Sequence, residues 1–220
     1  MSEKPLHAAL KHWYAQSGDH FEVPVDGFVI DIVRGDLLIE VQTRSFSSIR
    51  RKLKQLLGKH RVRLVYPIAR EKWIIKLAND GHSRKSRRKS PKRGAWEHVF
   101  EELVSFPRML ADPNFSLEVL LIQEEEIRCH DGSRAWRRRG WVTHERRLLR
   151  VLDRWLVETP DDLAPLVPAE LEEPFTTSDL AKALARPRRL AQQMAYCLRE
   201  LGILAPAGKR GNAILYMRAS

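Results

Sequence analysis

The chain has 220 residues, of which 43% are hydrophobic, and a formal net charge of +11. This length accommodates one large domain or two small ones, and the apolar fraction suffices for a packed core, which excludes an intrinsically disordered chain. The excess of positive charge favours a polyanionic partner, with nucleic acid first and an anionic membrane surface second.

Cysteine and histidine usage argues against metal or disulfide frameworks. The two cysteines, Cys129 and Cys197, are far apart, and the eight histidines are scattered without the spacing of paired metal ligands. The N-terminal run MSEKPLHAALKHWY lacks the apolar stretch of a signal peptide, and no run approaches the ~20 apolar residues of a membrane span. We therefore expect a cytoplasmic protein with no membrane partner.

The first half of the chain has the periodicities of an α/β unit. The predicted elements are, in order, a helix over 5–16, strands over 28–33 and 37–43, an amphipathic helix over 47–60, and strands over 62–67 and 73–77. A strand, a helix and a further strand in succession predict a βαβ unit with parallel strands.

A basic segment follows at residues 82–93. It contains seven Lys or Arg residues and no acid: Arg84, Lys85, Arg87, Arg88, Lys89, Lys92 and Arg93. Such a run repels itself and does not fold alone. It is either a solvated loop or an arm that binds DNA phosphates and becomes ordered on contact. A helix over 96–110 and a strand over 117–123 are predicted after it.

The composition changes after residue 130, which predicts two domains, at 1–130 and 140–220. The second is expected to contain a helix over 144–158, an acidic spacer over 158–173, the helices FTTSDLAKAL and RPRRLAQQMAYCLRELG, and the strand AILYMR. In this order the elements resemble a winged helix-turn-helix domain.

That resemblance implies a set of DNA contacts. Arg188, Arg189, Gln192 and Gln193 would begin the recognition helix, where Arg and Gln pair with guanine and adenine edges. Lys209 and Arg210 would lie at the wing tip, near phosphate. Winged helices also serve as protein-binding or packing modules, which is the alternative.

Two acids, Asp31 and Glu40, occur within apolar strand-like runs of the segment DIVRGDLLIEVQT. A hairpin closed by the loop Gly35-Asp36 would place them opposite each other, with Gln42 on the same face. At that separation the carboxylates repel by roughly 3 kcal/mol at an effective dielectric of 20. A shared proton, a divalent cation, or a salt bridge from Arg34, Arg44 or the following helix would relieve the repulsion.

The segment GFVIDIVRGDLLIEVQT, the helix after it and the strand VRLVYPI resemble the core of the PD-(D/E)xK nuclease superfamily, over residues 3–78. This resemblance implies a restriction-endonuclease-like mixed sheet flanked by helices, with a C-terminal winged-helix domain. Asp31 and Glu40 would be catalytic and would hold Mg²⁺ (or Mn²⁺). Gln42 occupies the position of the usual lysine and would act in catalysis by positioning water or the metal. Lys52, Lys54 or Lys72 would supply the missing positive charge, or the water would rely on the metal alone. Glu3 would add a third acid from the first helix, and Glu22 is the other option.

These features together predict a metal-dependent DNA endonuclease that its C-terminal domain targets, and a homodimer would allow opposite strands to be cut. The chief alternative is a non-catalytic DNA-binding protein, a regulator or scaffold on a degenerate nuclease fold. A third interpretation is a protein-binding module within a repair or defence assembly.

Overall fold

The structure is a computed structural model that describes residues 4–78, 83–131 and 140–219. Its helices are α1 (Pro5–Tyr14), α2 (Arg50–Leu56), α3 (Phe100–Leu103), α4 (Thr177–Ala183) and α5 (Arg188–Glu200). Its strands are β1 (His20–Val25), β2 (Phe28–Arg34), β3 (Leu37–Val41), β4 (Arg61–Leu77), β5 (Arg84–Lys89), β6 (Phe115–His130), β7 (Trp141–Val157), β8 (Leu204–Arg210) and β9 (Ala213–Arg218).

A seven-stranded mixed sheet forms the centre of the molecule. Its strand order is β1-β2-β3-β4-β6-β7, and β5 pairs with the second half of β4. The β3–β4 and β4–β6 pairs are parallel, whereas the other pairs of this sheet are antiparallel. Since α2 connects the parallel strands β3 and β4, the predicted βαβ unit and the α/β class are confirmed.

The β2–β3 hairpin has the register that its turn predicts. Arg34 pairs with Leu37, Val33 with Leu38 and Ile32 with Ile39. Gly35 has a φ of 56°, in the left-handed region that the first loop position of a primed turn requires. Continuing this register places Asp31 across from Glu40.

Two apolar clusters cover different parts of the sheet. On one side, α1 packs through Leu6 and Leu10 against Ile32 and Ile39. The larger cluster extends from the sheet through α3 to the C-terminal helices, and includes Phe100, Phe115, Met194 and Leu198. The C-terminal elements therefore share a core with the sheet.

Several predicted elements are wrong. Residues 144–158 do not form a helix: all but the last of them lie in β7, which pairs with β6. The predicted helix over 96–110 is broken into the 3-10 helices Trp96–Val99 and Pro107–Ala111 around the short α3. In the basic run, Arg84–Lys89 forms β5 instead of a loop or an unfolded arm, whereas residues 90–93 follow the strand without regular secondary structure.

The domain boundary that we placed at 130–140 falls inside a hairpin. His130 at the end of β6 pairs with Trp141 at the start of β7. The predicted second domain therefore contributes a strand to the main sheet. After that strand, the described regular elements are the 3-10 helix Pro160–Leu166, α4, α5 and the β8–β9 hairpin. Within the described residues, none of the helices has the length and apolarity to cross a membrane.

Candidate functional site

Asp31 lies on β2 beneath α1, with 18% of its side chain exposed. Its Oδ2 is 3.1 Å from Nε2 of His7 and accepts a hydrogen bond of 2.8 Å from the Val41 backbone N–H. Burial alone would raise the pKa of Asp31, but the hydrogen bond and charge of His7, the Val41 N–H and the charge of Lys11 outweigh it and lower the pKa. Asp31 is therefore held as a carboxylate.

Glu40 lies on β3 and is almost completely buried, with 6% of its side chain exposed. Nζ of Lys52, on α2, is 2.5 Å from its Oε1 and also donates to the Val29 carbonyl at 2.6 Å. Burial and the negative charge of Asp31 raise the pKa of Glu40 to about 7, although Lys52 opposes both effects. The two acids are thus electrostatically coupled, and each has its own basic partner.

α1 contributes residues that the sequence argument did not identify. His7 and Lys11 are one helical turn apart, so they project from the same face of the helix. Nζ of Lys11 is 2.7 Å from Oε1 of Glu22. In the β1–β2 register Phe21 pairs with Ile32, and Val23 pairs with Ile30. Glu22 therefore lies across from Asp31. The i, i+4 spacing of two bases on a helix preceding the hairpin was the available signal.

Gln42 does not take the place of a site lysine. Its side-chain amide donates to the Ser45 carbonyl at 3.0 Å and to Ser48 Oγ at 2.9 Å, and so stabilises the turn that leads into α2. Of the three candidate lysines, Lys52 contacts Glu40, whereas Lys72 pairs with Glu124 and Glu126. Lys54 is exposed on α2. Glu3 lies outside the described residues.

The basic residues of β5 divide into two groups. Arg87 pairs with Glu125 at 2.9 Å and Lys89 with Glu71 at 2.8 Å, and both cations lie 5.1 Å from the centre of the Trp73 ring. Arg84, Lys85 and Arg88 are exposed and have no ion pair within the described parts of the chain. Lys92 and Arg93 follow β5 and are also exposed.

The C-terminal candidates lie on α5 and at the tip of the β8–β9 hairpin. Arg188, Arg189 and Gln192 are exposed, whereas Gln193 is half-buried. Lys209 is exposed, but Arg210 is 2.5 Å from Oδ2 of Asp179 on α4. That ion pair fixes the hairpin tip against α4. Tyr196 continues the exposed stripe of α5.

The acids provide a limited set of metal ligands. Across the described ranges, no group of three or more His, Cys, Asp or Glu residues is arranged to hold a metal ion. Asp31 and Glu40 nevertheless supply two carboxylates, and Mg²⁺ is commonly held by one or two carboxylates while water and phosphate complete its shell. The raised pKa of Glu40 reflects burial and repulsion by Asp31. A divalent cation between the two carboxylates would reduce that repulsion. The donor chemistry therefore fits Mg²⁺.

Comparisons with known proteins relate this chain to others without an established activity. A family model described as a domain of unknown function, DUF8091, matches residues 4–158, and this range ends beside the end of β7. An uncharacterized protein of Treponema pallidum (strain Nichols) is 32% identical in an alignment 220 residues long. The alignment covers 98% of this chain and 85% of that protein. No solved structure matches the chain significantly.

Proposed function

The chain belongs to the DUF8091 family, and we propose that it is a metal-dependent nuclease that hydrolyses phosphodiester bonds in DNA. The observation that carries this proposal is the electrostatic coupling of the buried Glu40 to the half-buried Asp31 on one hairpin. Asp31 is held ionised, while Asp31 and burial raise the pKa of Glu40 to about 7. Perturbed carboxylates of this kind concentrate at functional sites.

Asp31 and Glu40 would hold Mg²⁺, or Mn²⁺, in the proposed site. When bound, the cation supplies positive charge that stabilises the negative charge developing on a phosphodiester. Lys52 would supply the cationic side chain that Gln42 lacks, since its Nζ already lies at Glu40. His7 would orient Asp31, since its Nε2 lies 3.1 Å from Oδ2 of that acid.

The basic surfaces support DNA as the substrate. The exposed cations of β5 form one such surface, and the exposed start of α5 forms another. α4, α5 and the β8–β9 hairpin have the helix, helix and hairpin order of a winged helix-turn-helix unit, without the preceding helix that the sequence predicted. We propose that this unit docks on DNA through Arg188, Arg189 and Gln192, and that a homodimer acts on both strands.

The test is cleavage of supercoiled plasmid and of branched oligonucleotides with Mg²⁺, Mn²⁺ or EDTA. Asp31→Asn and Glu40→Gln should each abolish metal-dependent cleavage while the protein still folds and binds DNA, and Lys52→Met should lower the rate at saturating DNA by about 10²-fold or more. The matched control is Asp36→Asn, which removes one exposed acid from the same hairpin and should cleave as the wild type does.

The second candidate is a non-catalytic DNA-binding protein on the same fold. The observation that favours it is the use of Gln42 in the turn before α2 together with the pairing of both acids by His7 and Lys52. Tight DNA binding without cleavage of any substrate under either metal would establish this candidate and overturn the nuclease.

A further inference from the structure

A groove of about 690 Å³ separates α2 from the C-terminal half of α5. Arg50 and Lys54 line it from α2, and Tyr196 lines it from α5. Phe106 and Met109 contribute an apolar part of the lining between them. The groove therefore combines cationic and aromatic side chains from two helices that were predicted to lie in separate domains.

Two cations of α2 are available to a ligand. Arg50 and Lys54 are exposed and have no ion pair or side-chain hydrogen bond with any described residue. Of the two acids that line the groove, Glu200 pairs with Arg108 at 2.8 Å and with Arg199 at 3.1 Å, whereas Asp112 accepts a hydrogen bond from the Asn114 N–H. Among the described residues, two unpaired cations therefore face one acid that has no ion pair. The groove accordingly favours an anion.

The aromatic side of the groove favours a planar ligand. Tyr196 is 40% exposed, so part of its ring is open to a ligand. The Arg199 guanidinium lies 5.7 Å from the centre of its ring. Phenol rings and guanidinium planes are the surfaces on which unpaired bases stack, while neighbouring cations neutralise the phosphates. A base within a duplex is already stacked on both faces and has no exposed face to offer.

We infer that the groove between α2 and α5 binds a single-stranded segment of nucleic acid, with a base stacked on Tyr196 and its phosphates at Arg50 and Lys54. The inference rests on the proposed nucleic-acid substrate but not on cleavage. It assigns the substrate class of the proposed site to nucleic acid with unpaired nucleotides. α2 would then serve both regions, because Lys52 on the same helix contacts Glu40.

The experiment measures fluorescence anisotropy in EDTA with a labelled oligothymidine and with a labelled blunt-ended duplex that has no unpaired nucleotides. Tyr196→Ala should weaken oligothymidine binding about tenfold and duplex binding less than about twofold, because stacking contributes only where a base is unpaired. Tyr196→Phe should restore oligothymidine binding, since the ring and not the hydroxyl is required. Trp13→Ala, which removes an exposed ring on α1, is the matched control.

A second measurement tests the cations independently. The double variant Arg50→Ala, Lys54→Ala should make the salt dependence of oligothymidine binding shallower. The magnitude of the negative slope of log K against log salt should fall by about 1.4, at about 0.7 for each lost phosphate contact on a single strand. Arg61→Ala, an exposed cation on β4, should leave the slope unchanged.

Three results would overturn the inference: absence of oligothymidine binding, equal losses for both ligands in Tyr196→Ala, or displacement of the oligothymidine by polyglutamate of equal charge. The last result would identify an acidic peptide as the ligand. A protein that binds oligothymidine through Tyr196 but cuts nothing would refute only the nuclease. A protein that cuts while Tyr196→Ala binds normally would refute only this groove.

Discussion

Glu40 and Asp31 show how one hairpin gives two carboxylates opposite properties. Both are largely buried, and burial raises the pKa of each. For Asp31 the hydrogen bonds from His7 and the Val41 N–H reverse that effect, whereas for Glu40 the charge of Asp31 adds to it. Glu40 therefore titrates near neutral pH, where protonation and cation binding compete for the same oxygen atoms.

The raised pKa of Glu40 predicts a pH-dependent stability. The folded state binds this proton more tightly than the unfolded chain does, because the pKa rises from 4.5 to about 7 on folding. The resulting stabilisation is fully present below about pH 4.5 and is lost as the pH rises through about 7. At about 1.4 kcal/mol for each pH unit, the loss is about 3 kcal/mol.

Glu40→Gln, which mimics the protonated acid, should abolish this dependence. Urea unfolding in EDTA should show the wild type losing stability relative to Glu40→Gln between about pH 4.5 and about pH 8. Asp36→Asn, which changes an exposed acid, should follow the wild type. Parallel curves for wild type and Glu40→Gln would mean that Glu40 titrates normally.

At the scale of single elements, the sequence predicted what local chemistry determines and missed what tertiary pairing determines. The Gly35-Asp36 turn and the alternation of β2 and β3 were sufficient to predict the hairpin register. In β7, by contrast, the leucines match a helical period, yet Leu149 and Leu152 are exposed at 45% and 40%. Pairing with β6 makes this segment a strand. Hydrophobic periodicity alone cannot show that β6 extends far enough along the chain to pair with it.

The partners of the site acids were predictable only in part. A salt bridge from the helix after the hairpin was among the predicted partners, and Lys52 on α2 provides it. No base of α1 was predicted beside Asp31, because only the packing of α1 on the sheet brings His7 there. Gln42 was predicted to lie in the site, but its local hydrogen bonds to Ser45 and Ser48 take precedence.

The division of cations on β5 predicts different salt dependences for two double variants with the same charge change. Arg84→Ala, Arg88→Ala removes cations without an ion pair in the described structure, so the slope of log K against log salt for duplex DNA should fall by about 1.8, at about 0.9 for each phosphate contact. Arg87→Ala, Lys89→Ala removes cations that Glu125 and Glu71 already neutralise, so its slope should change less.

The same pair of variants separates binding from strand stability. Since Arg87 and Lys89 also cover Trp73, their loss should lower the melting temperature more than the loss of Arg84 and Arg88 does. Equal slopes for the two variants in electrophoretic or anisotropy titrations would show that Arg84 and Arg88 do not contact DNA phosphates.

At the scale of the whole molecule, the C-terminal helices complete the core of the sheet. Leu190, Met194 and Leu198 on α5 belong to the same apolar cluster as Phe100 and Phe115. Arg108, which lies before β6, pairs with Glu200 at the end of α5. The DNA-binding surface that we propose on α5 is thus attached through this core to the elements around the candidate site, so a ligand that contacted both regions would contact one folded unit.

This shared core predicts that the chain unfolds in a single cooperative step. Met194→Ala creates a cavity in the cluster and should reduce the free energy of unfolding by about 2–5 kcal/mol. Because the sheet and the C-terminal helices lose that packing together, the tryptophan fluorescence, to which Trp155 on β7 contributes, and the far-UV circular dichroism should shift to the same lower urea midpoint. Met217→Ala, on the exposed side of β9, should change stability by less than about 0.5 kcal/mol. Separate midpoints for the two signals in Met194→Ala would instead show that the C-terminal helices melt independently of the sheet.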